Sequence, residues 1–66
     1  MREIRKQTTN WDGHERVVKL QEDQFGKYHL RKFCDFQETM HQILNVDNEF
    51  DAILEYVKEM NWWEKQ

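Results

Sequence analysis

The clearest pattern of apolar and polar positions in the chain lies in residues 48–63. Apolar side chains recur there at the i, i+3, i+4, i+7 and i+10 spacing of one helix face. Asp47 or Asn48 precedes them and can cap the helix, because a short side-chain oxygen accepts hydrogen bonds from the free amides of the first turn. The pattern predicts a helix over 48–63 whose core-facing stripe consists of Phe50, Ile53, Leu54, Val57 and Met60.

A second helical pattern covers residues 35–45. Asp35 and Glu38 stand three residues apart, as in a capping box. The connection between the two predicted helices, residues 45–47, is short, and so short a connection favours a roughly antiparallel pair of helices. The predicted apolar stripe of this helix, at i, i+4, i+7 and i+8, consists of Phe36, Met40, Ile43 and Leu44.

Patterns typical of strands dominate the first half of the chain. Residues 14–21 hold a cluster of β-branched and other apolar side chains, and residues 27–34 alternate between apolar and polar positions. Residues 2–9 are predicted as an edge strand, because charged side chains suit an unpaired edge. Asp12-Gly13 and Gly26 supply the positive-φ positions that tight turns need.

Register follows from matching the apolar sides of the two better strands. With Val18 opposite Leu30 and Leu20 opposite Tyr28, one sheet face is continuously apolar. The predicted fold class is therefore α+β, in one domain covering residues 1–66. An antiparallel β-hairpin or three-stranded meander is followed by two C-terminal helices packed on one sheet face, in the order β-β-β-α-α.

Size and composition narrow the class of protein. A core built from 66 residues contributes only ~3–5 kcal/mol of net stability, so self-association as a homodimer is an alternative source of stability. The single cysteine, Cys34, cannot form an internal disulfide, which fits a reducing compartment. No apolar run is long enough to span a bilayer. We expect a cytoplasmic protein without a membrane partner.

Charge is distributed unevenly along the chain, whose net charge is −3. Residues 1–34 hold eight Lys/Arg against five acids, whereas residues 35–66 hold two against eight. One interpretation is a basic sheet that attracts acidic helices within the same fold. The other is a pair of faces of opposite sign, one of which meets a partner.

Catalytic and metal chemistry find little support in the sequence. Structural zinc sites usually take four ligands in two close pairs, and the chain has neither a CxxC nor an HxxxH motif. Cys34 with His29 or His41 could form a nucleophile–base pair only if the fold brought them together. We therefore expect no enzyme activity, no cofactor and no metal.

The C-terminal helix carries more large aromatics than one apolar stripe can bury. Tryptophan and tyrosine are frequent hot-spot residues of interfaces. An acidic row at i, i+4 and i+8 runs beside them and suits a partner with a basic surface. In size and charge the chain resembles small acidic inhibitors made by phages and other mobile elements. The sequence thus predicts a non-enzymatic protein-binding regulator or inhibitor that docks through Asp51, Glu55, Tyr56, Glu59, Trp62 and Trp63.

Nucleic-acid binding is the alternative function. The polar side of the predicted hairpin carries several cations and a histidine, namely Lys19, Lys27, His29 and Arg31. A strand with alternating polar side chains followed by two helices resembles the ribbon-helix-helix family. That resemblance implies a dimeric regulator whose paired strands enter the major groove of DNA.

Overall fold

The computed structural model describes the backbone of residues 1–64 and the side chains of residues 1–61. Four antiparallel strands are followed by one helix, which packs on β2 and β3. The strands form a single sheet in which each pairs with its neighbour along the chain, in the order β1-β2-β3-β4. The elements are β1 (Arg2–Trp11), β2 (His14–Glu22), β3 (Tyr28–Cys34), β4 (Gln37–Leu44) and α1 (Glu49–Glu64).

The predicted architecture of at most three strands and two C-terminal helices is wrong in one element. Residues 35–45 do not form a helix; most of them form β4, which pairs with β3 along its length. The ribbon-helix-helix resemblance loses its basis with that helix. The predicted edge strand is real, and β1 is two residues longer than predicted.

Backbone geometry explains why the helical pattern in residues 35–45 fails. Asp35 and Phe36 both have positive φ, 50° and 70°, and two such residues make the tight turn that matches the twist of a hairpin. β4 then satisfies the backbone hydrogen bonds along the free edge of β3. Met40 and Leu44 are four residues apart, a spacing that places two side chains on the same face of a helix and also on the same face of a strand. Both therefore face α1 from β4.

The other turns agree with the sequence prediction. Asp12 and Gly13, with φ of 52° and 78°, join β1 to β2. Gly26, with φ of 78°, is the left-handed residue of the β2–β3 turn. The Asp23 carboxylate organises that turn by accepting the backbone amides of Phe25 and Lys27, at 2.8 and 3.0 Å.

Register differs from the prediction by two residues. Leu20 pairs with Leu30 and Val18 with Lys32, rather than with Tyr28 and Leu30. Because side chains alternate with a period of two, this shift leaves every side chain on its predicted face. Lys32 lies on the face that α1 covers because it is two residues from Leu30, and the observed register places it opposite Val18.

The core lies between α1 and one face of the sheet. Its buried members are Val18, Leu20, Tyr28, Leu30, Leu44, Ala52 and Tyr56. Asn48 caps α1 as predicted, since its side-chain oxygen accepts the Asp51 amide at 2.9 Å. No helix in the described part of the chain is long and apolar enough to cross a membrane.

The orientation of α1 corrects the predicted core stripe. Ala52 is fully buried and Tyr56 is only 8 % exposed, so the helix packs through the side that carries these two residues. Leu54 and Val57 are each 43 % exposed. Of the predicted stripe, only Ile53 and Met60 pack against the core.

This orientation predicts opposite outcomes for two Leu→Ala substitutions. Leu20→Ala empties a fully buried site and should lower the free energy of unfolding by about 2–5 kcal/mol. Leu54→Ala should cost roughly 0.5–1 kcal/mol, near the range of surface substitutions. Urea melts of the two variants and the parent measure both effects, and equal losses would contradict the orientation of α1.

Candidate functional site

One side of α1 presents apolar side chains to solvent. Phe50 is 70 % exposed, and Leu54 and Val57 follow at i+4 and i+7 with 43 % each. This spacing places the three side chains in one row along the helix. We call these three residues the outer stripe. A sequence pattern of five apolar positions did not reveal that three of them face water.

The predicted acidic row divides between the core side and the surface. Glu59 forms an ion pair with Lys32, whose side chain is mostly buried and whose pKa is lowered by that burial. Asp51 and Glu55 remain half-exposed beside the outer stripe. Asp51 accepts the Asn48 side-chain amide at 3.2 Å, and Glu55 accepts Lys58 at 3.3 Å. Two acids therefore lie along the outer stripe rather than three.

The predicted aromatic patch is placed only in part by the structure. Tyr56 lies in the core, where burial raises the pKa of its hydroxyl, so it is not offered to a partner. Trp62 and Trp63 belong to the last turn of α1, but their side chains lie outside the described residues.

The sheet face opposite α1 is open and carries most of the predicted basic residues. Lys19 and Arg31 pair across β2 and β3, and both approach the ring of Phe33. The Lys19 ammonium lies 5.1 Å and the Arg31 guanidinium 5.7 Å from the ring centroid. A groove of about 260 Å³ on this face is lined by Lys6, Glu15, Val17, Lys19, Phe33 and Phe36.

Acids neutralise part of this open face. Glu38 binds Arg31 through two hydrogen bonds of 2.7 and 3.2 Å, and the guanidinium lowers the pKa of that carboxyl. Lys27 precedes β3 and stands exposed in the turn rather than on the strand. Of the four residues that the sequence places on the polar face, the structure brings Lys19, His29 and Arg31 to the open face, and Lys27 lies outside it.

His29 is buried within a chain of three polar side chains. Its Nε2 lies 2.8 Å from an Asp23 carboxylate oxygen, and its Nδ1 lies 2.8 Å from Nε2 of His41. The His29 hydrogen bond and the backbone amides of the turn lower the pKa of the Asp23 carboxyl. This chain ties the β2–β3 turn to β3 and β4, which gives His29 a structural partner on each side.

Another polar cluster, separate from the Asp23–His29–His41 chain, lies at the end of the sheet that holds the β1–β2 and β3–β4 turns. His14 Nδ1 lies 2.7 Å from an Asp35 carboxylate oxygen, and the other oxygen of Asp35 accepts the Glu15 amide at 3.0 Å. Both hydrogen bonds lower the pKa of the Asp35 carboxyl. Cys34 is a half-buried free thiol beside them.

Comparisons with known proteins give no relative for this chain: no family model matches it, and neither the curated proteins nor the solved structures searched contain a significant match.

Several of these residues could not be found by sequence reasoning alone. In the strand that contains Tyr28 and Leu30, alternation predicts an apolar residue at position 32 and a polar residue at position 33. The sequence has the reverse, with Lys32 on the core-facing side and Phe33 on the other side. The contact of His29 with His41 could be predicted only by knowing that residues 37–44 form a strand, because His41 lies on β4. The helix prediction for that segment hid this contact.

The lowered carboxyl pKa values predict acid sensitivity. Because Asp23 and Glu38 ionise at lower pH in the folded chain, they stabilise the fold above about pH 4, where unfolded carboxyls are ionised. This contribution is lost as the pH falls through their folded pKa values. Urea melts from about pH 6 to about pH 3 should show a falling free energy of unfolding.

The matched variant for this experiment is Asp23→Asn, which keeps an acceptor oxygen for the turn amides but removes the titration. The variant should show a shallower decline in the free energy of unfolding than the parent below about pH 4. A pH dependence identical to that of the parent would show that Asp23 does not contribute.

Proposed function

We propose that this chain is a non-enzymatic protein-binding module that places the outer stripe of α1 in an apolar groove of a larger partner. The observation that carries the proposal is the exposure of Phe50, Leu54 and Val57 on a helix whose opposite side forms the core. Helix-in-groove recognition uses anchors at this i, i+4, i+7 spacing.

Burial energetics support an interface on this side of the helix. A small domain has few large apolar side chains, and here three of them lie in one row in contact with water rather than in the core. Covering an apolar side chain contributes about 1.5–3 kcal/mol when the burial is complete. A partner that covers Phe50 and its two neighbours gains this energy without requiring a change in the folded chain.

Charge indicates the chemistry of the partner. Asp51 and Glu55 lie beside the outer stripe, and the chain carries a net charge of −3. A groove rimmed by lysine or arginine would attract the helix and orient it. A second copy of the same acidic helix would instead meet like charges. We therefore propose a heterologous partner with a basic rim, and a regulatory or inhibitory role in a reducing compartment such as the cytoplasm.

The test compares two phenylalanines of similar exposure. Phe50→Ala combined with Leu54→Ala should abolish capture of a stoichiometric partner from nuclease-treated lysate, measured by quantitative mass spectrometry. Phe25→Ala should leave capture unchanged, because Phe25 is 78 % exposed in the β2–β3 turn, on another element than the stripe. Circular dichroism and urea melts confirm that each variant folds.

A charge reversal tests the rim separately. Glu55→Lys should weaken the same capture and reduce its sensitivity to salt, because the variant removes an attraction to the basic rim. Sedimentation of the purified chain addresses self-association. Dimerisation that Phe50→Ala and Leu54→Ala disrupt would assign the stripe to a second copy and overturn the proposal, as would equal capture by all variants.

Binding of single-stranded nucleic acid is the second candidate, favoured by the arrangement around Phe33. An exposed sheet that carries an aromatic ring close to two cations offers a base-stacking surface and contacts to phosphate. The acids Glu15 and Glu38 on the same face reduce its positive charge, which is why this function ranks second.

Fluorescence anisotropy with a labelled single-stranded oligonucleotide tests this candidate. Binding should weaken steeply as salt rises, and Phe33→Ala and Lys19→Gln should each weaken it further. Lys58→Gln, which removes an exposed cation from α1, should change it little. No binding at low salt, or equal losses in all three variants, would remove nucleic acid as a ligand of the open face.

A further inference from the structure

Three side chains with metal-ligating atoms meet where two hairpins end. His14 begins β2, Cys34 ends β3, and Asp35 opens the turn into β4. One ligand atom from each lies within 4.8 Å of those of the other two. His14 is far in sequence from the consecutive residues Cys34 and Asp35, and the pairing of Arg16 with Cys34 across β2 and β3 brings it to them.

The backbone fixes this end of the two strands. The Asp35 amide donates to the Glu15 carbonyl at 2.8 Å, and the Glu15 amide donates to the Asp35 carboxylate at 3.0 Å. One carboxylate oxygen is therefore held in place, while the other lies 2.7 Å from His14 Nδ1. An amide that orients a carboxylate is the kind of supporting contact found around metal ligands.

We propose that His14, Cys34 and Asp35 form an open three-ligand site for a zinc-class divalent cation, with water as the fourth ligand. A thiolate, an imidazole and a carboxylate are all zinc ligands. The thiolate selects against magnesium and calcium, which take oxygen ligands. Binding requires the thiolate of Cys34 and an imidazole nitrogen of His14 that carries a lone pair, so the thiol proton is released to solvent.

The distances fit this coordination after small side-chain rotations. Metal–ligand bonds of about 2.0–2.3 Å place tetrahedral ligand atoms roughly 3.3–3.7 Å apart. The present separation of the His14–Asp35 pair, 2.7 Å, is shorter than that range, and the other two separations are at most 4.8 Å. The side chains of His14 and Asp35 are each more than half exposed, so they can rotate without disturbing the core.

Such a site adds to the fold rather than creating it. The core lies between α1 and the middle of the sheet, and none of its buried members is one of the three ligands. The metal should therefore raise stability by binding to the folded chain, according to its free concentration and dissociation constant. The metal-free chain should remain folded.

Cobalt titration of the reduced full chain tests the site, because cobalt reports thiolate coordination by its charge-transfer absorption in the near ultraviolet. One equivalent should bind and produce this band. Cys34→Ser should abolish the band, and His14→Gln and Asp35→Asn should each weaken binding at least about tenfold, the loss that even a supporting residue can cause. Zinc should displace cobalt and raise the thermal midpoint of the parent, but not of Cys34→Ser.

His41→Gln is the matched control, because it removes an exposed histidine that pairs with Arg31 on β3, away from Cys34. This variant should bind cobalt as the parent does. Circular dichroism without metal shows whether each variant folds, and Asp35→Glu provides a folded alternative if Asp35→Asn does not. Binding without the thiolate band, no saturable binding, or equal losses in His41→Gln would overturn the proposal.

Discussion

The contact between Ala52 and Tyr56 of α1 and the sheet residues Val18, Leu20 and Leu30 is the interaction on which the rest of the structure depends. Fully buried Ala52 lets the helix approach the sheet closely, and Tyr56 extends the contact. A chain of this length has material for only one such core. The outer strands β1 and β4 are then placed by pairing with β2 and β3.

Ion pairs at both ends of α1 support the same contact. Arg2 at the start of β1 binds Glu22 and Glu49, and Lys32 on β3 binds Glu59. The basic first half and the acidic second half of the chain therefore attract one another within the fold, as one interpretation of the charge pattern expected. The Lys32–Glu59 pair also places a charge beside the core, where removing one partner would leave the other poorly solvated.

A single helix can cover only one face of a four-stranded sheet and can bury only one of its own sides. The fold therefore leaves two surfaces for other molecules: the outer stripe of α1 and the open sheet face around Phe33. The hairpin ends that carry His14, Cys34 and Asp35 hold the proposed metal site. The outer stripe lies on α1, whereas the hairpin ends adjoin the open face, because Glu15 lines the groove of that face and also hydrogen-bonds Asp35.

The sequence by itself determined the α+β class, the second and third strands, their turns and the existence of the C-terminal helix, and it left a hairpin and a three-stranded meander as alternatives for the first part of the sheet. Those features depend on local signals: alternation, Asp-Gly, a left-handed glycine and a capping asparagine. Residues 37–44 had apolar side chains spaced four apart, which suits a helix and a strand equally. Only pairing with the free edge of β3 decided in favour of a strand. Likewise, five apolar positions on α1 predicted a helix but not which side packs. That choice depended on which side fits closely against the sheet, and small Ala52 decided it.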